Sequence, residues 1–215
     1  MGRRLDTAGR DGLSTGEGEG GGPGVLGENR VALKEWAVVV KALREGRQVF
    51  LLRKGGIAEE EGEFRVDQPE FVFYPTYVHQ QREHVRPEYH GDFAAVDRTP
   101  WTVERLPLDT YAVVEEVVEA ADLTRLHKLS EHHIWTPGYV EMRFRYRPGT
   151  PLCVMLLRVY RLPRATEVVE TPEYRGCKSW VTLEAPVATA GAAPVLADAA
   201  FAQRVAALRA ILKAN

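Results

Sequence analysis

The chain is poor in cysteine and contains no long apolar run, and each absence removes a class of protein. Its two cysteines, Cys153 and Cys177, lie in or near apolar, strand-like runs and cannot build a disulfide framework in 215 residues, so a reducing cytoplasm is the expected setting. No stretch approaches the ~20 continuous apolar residues of a membrane span, and the N-terminus lacks the apolar core of a secretion signal. These absences predict a soluble, unexported protein without a membrane partner. A general excess of positive charge is missing too: the net charge is −2, so attraction to a polyanion requires a local basic patch.

Cofactor and metal signatures are also absent. Neither a Walker spacing nor a Gly-x-Gly-x-x-Gly run follows any strand. The histidines form two groups, His79, His84 and His90, and His127, His132 and His133, but neither has ligand spacing. No cofactor and no metal site is assigned. A nucleoside-diphosphate pyrophosphatase is excluded because Arg82-Glu83 is followed by neither paired glutamates nor a clean helix. The acidic and acidic-x-lysine pattern of a restriction-type nuclease is approached only distantly, by Glu141-Met142-Arg143.

What is present divides the chain into three parts. Residues 1–30 hold ten glycines and almost no large apolar side chains, and read as a disordered tail. Residues 31–184 read as a single globular domain, and 185–215 as a flexible linker followed by an amphipathic helix. In the domain, Leu33, Trp36, Ala37 and Val40 fall at helical spacing and Val38–Val40 add strand character, predicting a helix that runs into a strand. Glu45-Gly46-Arg47 predicts a turn and Gln48–Arg53 a buried strand ended by Gly55-Gly56. Phe64–Val66 and Phe71–Tyr74 predict strands, and residues 80–107 mostly loop.

Tyr111–Val118 fits a strand or a helix start. Asp122 caps a helix carrying Leu123, Leu126 and Leu129, which Pro137 stops. Val140–Tyr146 and Leu152–Leu162 read as a hairpin joined by residues 147–151, and residues 177–183 as a further strand. Phe201, Val205, Leu208 and Leu212 stripe a helix capped by Asp198. The fold class is therefore α+β: a mixed or strongly curved sheet, with a small PUA-like barrel as its specific form, flanked by two or three helices and a C-terminal helix.

Two constellations carry candidate chemistry. Between Arg143 and Arg164 six arginines occur without one acidic residue. If 140–146 is a strand, Arg143, Arg145 and Arg147 share one face, and Arg158, Arg161 and Arg164 continue it; such a face suits phosphate pairing and base stacking. It suits equally well a solvated face paired with the acidic runs at 59–63 and 115–119. The second constellation is Arg53, Lys54, Gly55 and Gly56, followed by Tyr74, Pro75, Thr76, Tyr77, His79 and Gln80, where polar groups gather at strand ends as they do at binding loops. Cys153, inside LCVMLL, reads as a core residue.

The segments ALKEWAVVVKAL, FLLRKGG, FRVDQPEFVFYPTYVHQ, HIWTPGYVEMRF, LLRVYRL and YRGCKSWVTL, in this order, resemble a bacterial family known as domain of unknown function 1802, over roughly residues 31–184. The resemblance implies no assigned activity. Some members are associated with a restriction-endonuclease catalytic domain, which implies a role near restriction or defence, although no such domain is fused here. The expected function is a nucleic-acid-binding module for DNA or RNA, with a restriction-type nuclease as a possible partner. In it Arg143, Arg145, Arg158 and Arg161 neutralise phosphates and Arg53, Lys54, Thr76, His79 and Gln80 form a selective pocket. Two alternatives stand beside it: a metal-dependent nuclease or other hydrolase using His79, Glu70, Glu35 and Lys54, and a scaffold that oligomerises through its C-terminal helix.

Overall fold

The computed structural model of the protein describes residues 26–54, 68–97, 105–120, 122–176 and 178–213. In chain order the elements are β1 (Glu28–Trp36), α1 (Ala37–Arg44), β2 (Phe50–Lys54), β3 (Glu70–Thr76), α2 (His90–Val96), β4 (Arg105–Glu119), α3 (Leu123–Lys128), α4 (Pro137–Arg145), β5 (Leu152–Val169), β6 (Trp180–Ala188), β7 (Ala193–Pro194) and α5 (Asp198–Lys213). The strands make one mixed sheet in the order β2-β5-β4-β3-β1-β6, with β7 on β5. Only β1 and β3 pair in parallel; the other pairings are antiparallel. The fold is α+β. Among the described residues the sheet is open, with β2 and β6 as its ends, so it does not form the closed barrel the sequence suggested.

The sheet is nonetheless strongly curved. β1 lies four positions from β2 along the sheet, about 19 Å if the sheet were flat at ~4.8 Å per strand. Yet Arg53 of β2 donates to a Glu35 carboxylate oxygen of β1 at 2.9 Å and to the Lys34 carbonyl at 3.0 Å. Coiling of the sheet brings these two strand ends together.

Strand alternation explains two separate cores. In β1 and β3, Leu33, Phe71 and Phe73 point to one face, where they join Val38, Leu43, Phe50, Leu156 and the helical residues Leu126, Val140 and Leu208. Ala32, Val72 and Tyr74 point to the other, packing with Leu108, Tyr111, Tyr160, Tyr174 and Val181, a cluster with no α-helical member. Each fully buried Leu or Phe contributes about 1.5–3 kcal/mol.

Several expectations are corrected. The 31–40 stretch runs strand first and helix second, the reverse of the predicted order. β1 also begins at Glu28, inside the stretch assigned to the tail. Val38–Val40 prefer strand as isolated residues, but every residue from Ala37 to Val40 is buried, and packing on all sides overrides propensity. Residues 140–146 are not a strand but belong to α4, so no 147–151 hairpin forms. Thr136 accepts the Tyr139 N–H at 3.3 Å and Pro137 occupies the first turn, so this proline starts a helix instead of stopping one. The stretch 80–107, read mostly as loop, holds α2. Residues 184–188, read as flexible, continue β6.

The C-terminal helix is part of the fold. Val205, Leu208 and Leu212 are buried in the larger core, so the stripe offered for oligomerisation is already covered by the chain itself. A buried carboxylate fixes the helix further: Glu116, at an inward position of β4, is 1% exposed and accepts Arg209 Nε and Lys213 Nζ, each at 2.6 Å. Burial alone would raise its pKa, but the bonds to Lys213 and Arg209 outweigh it and hold the pKa below the ordinary carboxylate value. The Asp122 cap on α3 is present, accepting the Arg125 N–H at 2.8 Å. The predicted strand 64–66, the acidic run 59–63, Gly55-Gly56, Cys177 and residues 1–25 lie outside the described residues.

Candidate functional site

The parallel pairing of β1 and β3 sets Lys34 beside Tyr74, Glu35 beside Pro75 and Trp36 beside Thr76. Both strands end there, β1 turning directly into α1 and β3 into the loop at 77–81. Strand ends of this kind leave polar and aromatic side chains facing a shared opening. Here the opening is a cleft of about 790 Å³. Its floor is Lys34–Trp36, Tyr74 and Thr76; Arg53 arrives from β2, His79 and His84 from the following loop, Tyr139 and Arg143 from α4. Glu170, Arg175, Lys178 and Ser179, from the β5–β6 connection, close the remaining side.

Five cations and two carboxylates line this cleft, in a chain of net charge −2. Glu35 and Arg53 neutralise each other at 2.9 Å, and Arg175 approaches Glu170 at 3.6 Å. Lys34 donates to the Gly176 carbonyl at 3.2 Å and lies over the Tyr74 ring at 5.8 Å. Arg143 lies over the exposed Tyr146 ring at 5.7 Å. Neither Arg143 nor Lys178 makes an ion pair among the described residues. Among the described residues the cations of the cleft therefore outnumber its carboxylates, and such an excess attracts anions.

Aromatic rings make up the inner wall. Trp36 and His84 are parallel to within 2° at 6.2 Å between centroids, and Tyr139 meets Trp36 at 5.0 Å and His84 at 5.1 Å. Burial pushes the Tyr139 hydroxyl up to about 12, the negative charge of Glu35 adding to the effect. The Tyr74 hydroxyl is raised further, by burial first and then by Glu170 and Tyr174. Both phenols are therefore donors at neutral pH. His79 adopts a left-handed backbone, φ 64°, which is uncommon outside glycine.

Of the residues assigned to nucleic-acid or anion binding from the sequence, Arg53, Thr76, His79 and Arg143 meet in this cleft, as do Glu35 of the hydrolase alternative and His84. Lys54, Gln80, Arg145, Arg158 and Arg161 do not. Lys54 borders a separate depression of about 400 Å³, where it donates to the Phe144 carbonyl at 2.5 Å; burial and then Arg143 lower its affinity for a proton. Gln80 is 7% exposed and is absent from the cleft lining. Arg145 pairs with Glu141 on α4. The shared arginine face fails because Arg143 and Arg145 are two apart on a helix and so point away from each other. Arg158 is buried against Asp198, at 2.5 Å, and the Phe201 ring, at 4.6 Å. Arg161 donates to the Arg44 carbonyl at the end of α1.

The four residues of the metal-hydrolase alternative do not converge. Glu70 opens β3, four residues from Tyr74 and so about 13 Å from the cleft at ~3.3 Å per residue, and is bound by Tyr111 Oη and the Leu26 N–H. No group of three or more metal-ligating side chains gathers among the described residues. Burial pushes the Cys153 thiol up to about 12, in keeping with a core cysteine. Sequence reasoning missed Lys34, Trp36, Tyr139, Arg175 and Lys178. For Lys34 and Trp36 the available signal was a strand reading of VALKEW, which carries both to the end of β1 that opens on the cleft.

No helix among the described residues is long and apolar enough to cross a membrane. No curated protein matches the sequence. Among solved structures, the ASCH protein of Zymomonas mobilis is similar at 12% identity, covering 83% of this chain and 94% of that one, with a TM-score of 0.39. A serine-to-alanine variant of it is similar at 13% identity, covering 84% and 98%, with a TM-score of 0.38. The family match spans residues 32–207, reaching well into α5 and beyond the boundary at 184 expected from the sequence; the chain belongs to the family described as domain of unknown function (DUF1802).

Proposed function

We propose that this chain is a nucleic-acid-binding module that holds the phosphate backbone at the cleft between the β1–β3 ends and α4. The observation that carries this reading is the cation excess in the cleft, with Arg143 and Lys178 making no ion pair among the described residues. A phosphate supplies what these groups lack, since a charge-assisted bond to an anion exceeds their bonds to water. The selective part of the earlier pocket contracts to Arg53, Thr76 and His79, joined by Lys34 and Arg175. The finer reading, service to a restriction-type nuclease, draws only on the family resemblance.

The test is fluorescence anisotropy with labelled DNA and RNA over a salt series with magnesium present, the label being checked afterwards for cleavage. Salt-sensitive binding is expected, and Arg143→Ala with Lys178→Ala should lower the salt slope by about two, one per lost phosphate contact. Absence of binding at low salt would sink the proposal, and cleavage would favour a nuclease.

A further inference from the structure

Two buried polar atoms at the cleft have no hydrogen-bond partner among the described residues. Tyr74 is 1% exposed, yet its hydroxyl makes no hydrogen bond, and Arg53 Nε is likewise buried and unpaired. Buried polar groups are nearly always satisfied, and an orphan costs about 1–3 kcal/mol. Both residues line the cleft, so a guest there is the available partner. That guest must offer acceptors to both donors. It must also present a flat face to Trp36, His84 and Tyr139, whose rings lie 5.0–6.2 Å apart around one wall.

The charges outside add a third requirement. Arg143 sits on α4 and Lys178 on the β5–β6 connection, on two sides of the same opening. A planar, acceptor-bearing ring inside with an anion outside is the anatomy of a nucleotide whose base has left the stack. A cavity of about 790 Å³ is of the size that holds one such small guest. A base within a matched duplex cannot reach it, because its stacking neighbours cover its faces and the partner base occupies its hydrogen-bonding edge.

From this juxtaposition of orphan donors, aromatic wall and flanking cations, we infer that the cleft takes one unpaired base of a nucleic acid, stacked on the Trp36–Tyr139 wall and hydrogen-bonded by Tyr74 Oη. The inference rests on the nucleic-acid reading above and narrows it: the substrate class is single-stranded or locally unpaired, and matched duplex is excluded from the pocket. Stacking supplies affinity without demanding a particular sequence, as every base has a π face.

The experiment measures anisotropy of the full chain, at one salt concentration, against a single strand, the matched duplex of the same sequence and that duplex carrying a one-nucleotide bulge. Tyr74→Phe is the informative variant, since it deletes an oxygen with no partner in the fold; Tyr139→Leu removes one stacking ring. Single strand and bulged duplex should bind at least tenfold tighter than matched duplex. Tyr74→Phe should weaken the single strand three- to tenfold and leave residual duplex binding unchanged. Equal affinity for all three probes, with Tyr74→Phe silent and its thermal midpoint unchanged, would overturn the unpaired-base inference while leaving the binding module standing. No binding to any probe would overturn both.

Discussion

The arginine-rich stretch from 143 to 164 and the cleft at the end of β1 are both cationic, but they arise in opposite ways. The stretch is dense in sequence, six arginines with no acidic neighbour, and the fold disperses it. Arg158 goes under α5, Arg145 onto Glu141 and Arg161 onto the end of α1, leaving only Arg143 in the cleft. The cleft is sparse in sequence: Lys34, Arg53, Arg143, Arg175 and Lys178 come from segments separated by up to 144 positions, and curvature of the sheet gathers them. Charge density along a chain therefore measures how many ion pairs the fold can build. Charge left over in space, after those pairs are made, is what a ligand meets.

The comparison breaks most visibly at a structural arginine outside the stretch. Arg209→Ala strips Glu116 of a bond at 2.6 Å while the carboxylate stays 1% exposed. Removing one partner of a buried pair costs about 3 kcal/mol, so the midpoint of chemical denaturation should fall accordingly with no change in nucleic-acid affinity of the folded protein. Acid probes the same distinction. The Glu116 carboxyl is held below its ordinary value, so its contribution is complete at neutral pH and is lost as pH falls through the folded value. His133 acts in the same direction: burial first, then Arg86, hold it down to about 3, so from about pH 6.5 downward the unfolded chain takes up a proton that the fold refuses. Denaturation followed from pH 7.5 to 4.5 should show stability falling by about 2–3 kcal/mol, nearly all of it from His133; a flat profile would contradict the His133 assignment, and the Glu116 loss follows only as pH falls below about 4.5.

Next in size is Arg158→Ala. The guanidinium is buried, but its carboxylate partner Asp198 is fully open to solvent, so the ion pair itself is weak. The loss is chiefly packing against Phe201 and the α5 cap, about 1–2 kcal/mol. Unfolding curves should shift by that amount while the salt slope of binding stays unchanged. A fall in the slope would return Arg158 to the phosphate-contacting set.

Legibility follows the same division. Period-3.6 stripes gave α3 and α5, each with one buried face set by local sequence: Leu126 and Leu129 in and after α3, Val205, Leu208 and Leu212 in α5. β3 and the first half of β5 are buried on both faces and were legible as continuous apolar runs of strand-favouring residues. Patterns failed in α1, where burial is equally complete. Val38–Val40 are inside on every side, so no periodicity separated helix from strand, and reversing that segment hid Lys34 and Trp36 from the site. They failed again at 143–147, where the alternation Arg-Phe-Arg-Tyr-Arg imitates a strand inside a helix already fixed by Thr136 and Pro137 upstream. Arg53, Thr76 and His79 were legible because they follow recognisable strands. Arg175 and Lys178 were not, because it is the long-range pairing of β6 with β1, Trp180 against Leu33, that brings the β5–β6 connection to the opening.

The smallest effect belongs to Arg164, and it is the sharpest control. It belongs to the sequence cluster, lies exposed on β5 and borders neither depression. If proximity in sequence conferred phosphate contact, Arg164→Ala would lower the salt slope by about one, as Arg143→Ala should. If the cleft gathers the contacts, the substitution leaves both slope and stability within about 0.5 kcal/mol of the parent, as for an isolated surface side chain. The paired measurement, Arg143→Ala beside Arg164→Ala in one salt series, separates the two accounts, because the variants remove identical charges from the same stretch and differ only in where the fold has put them.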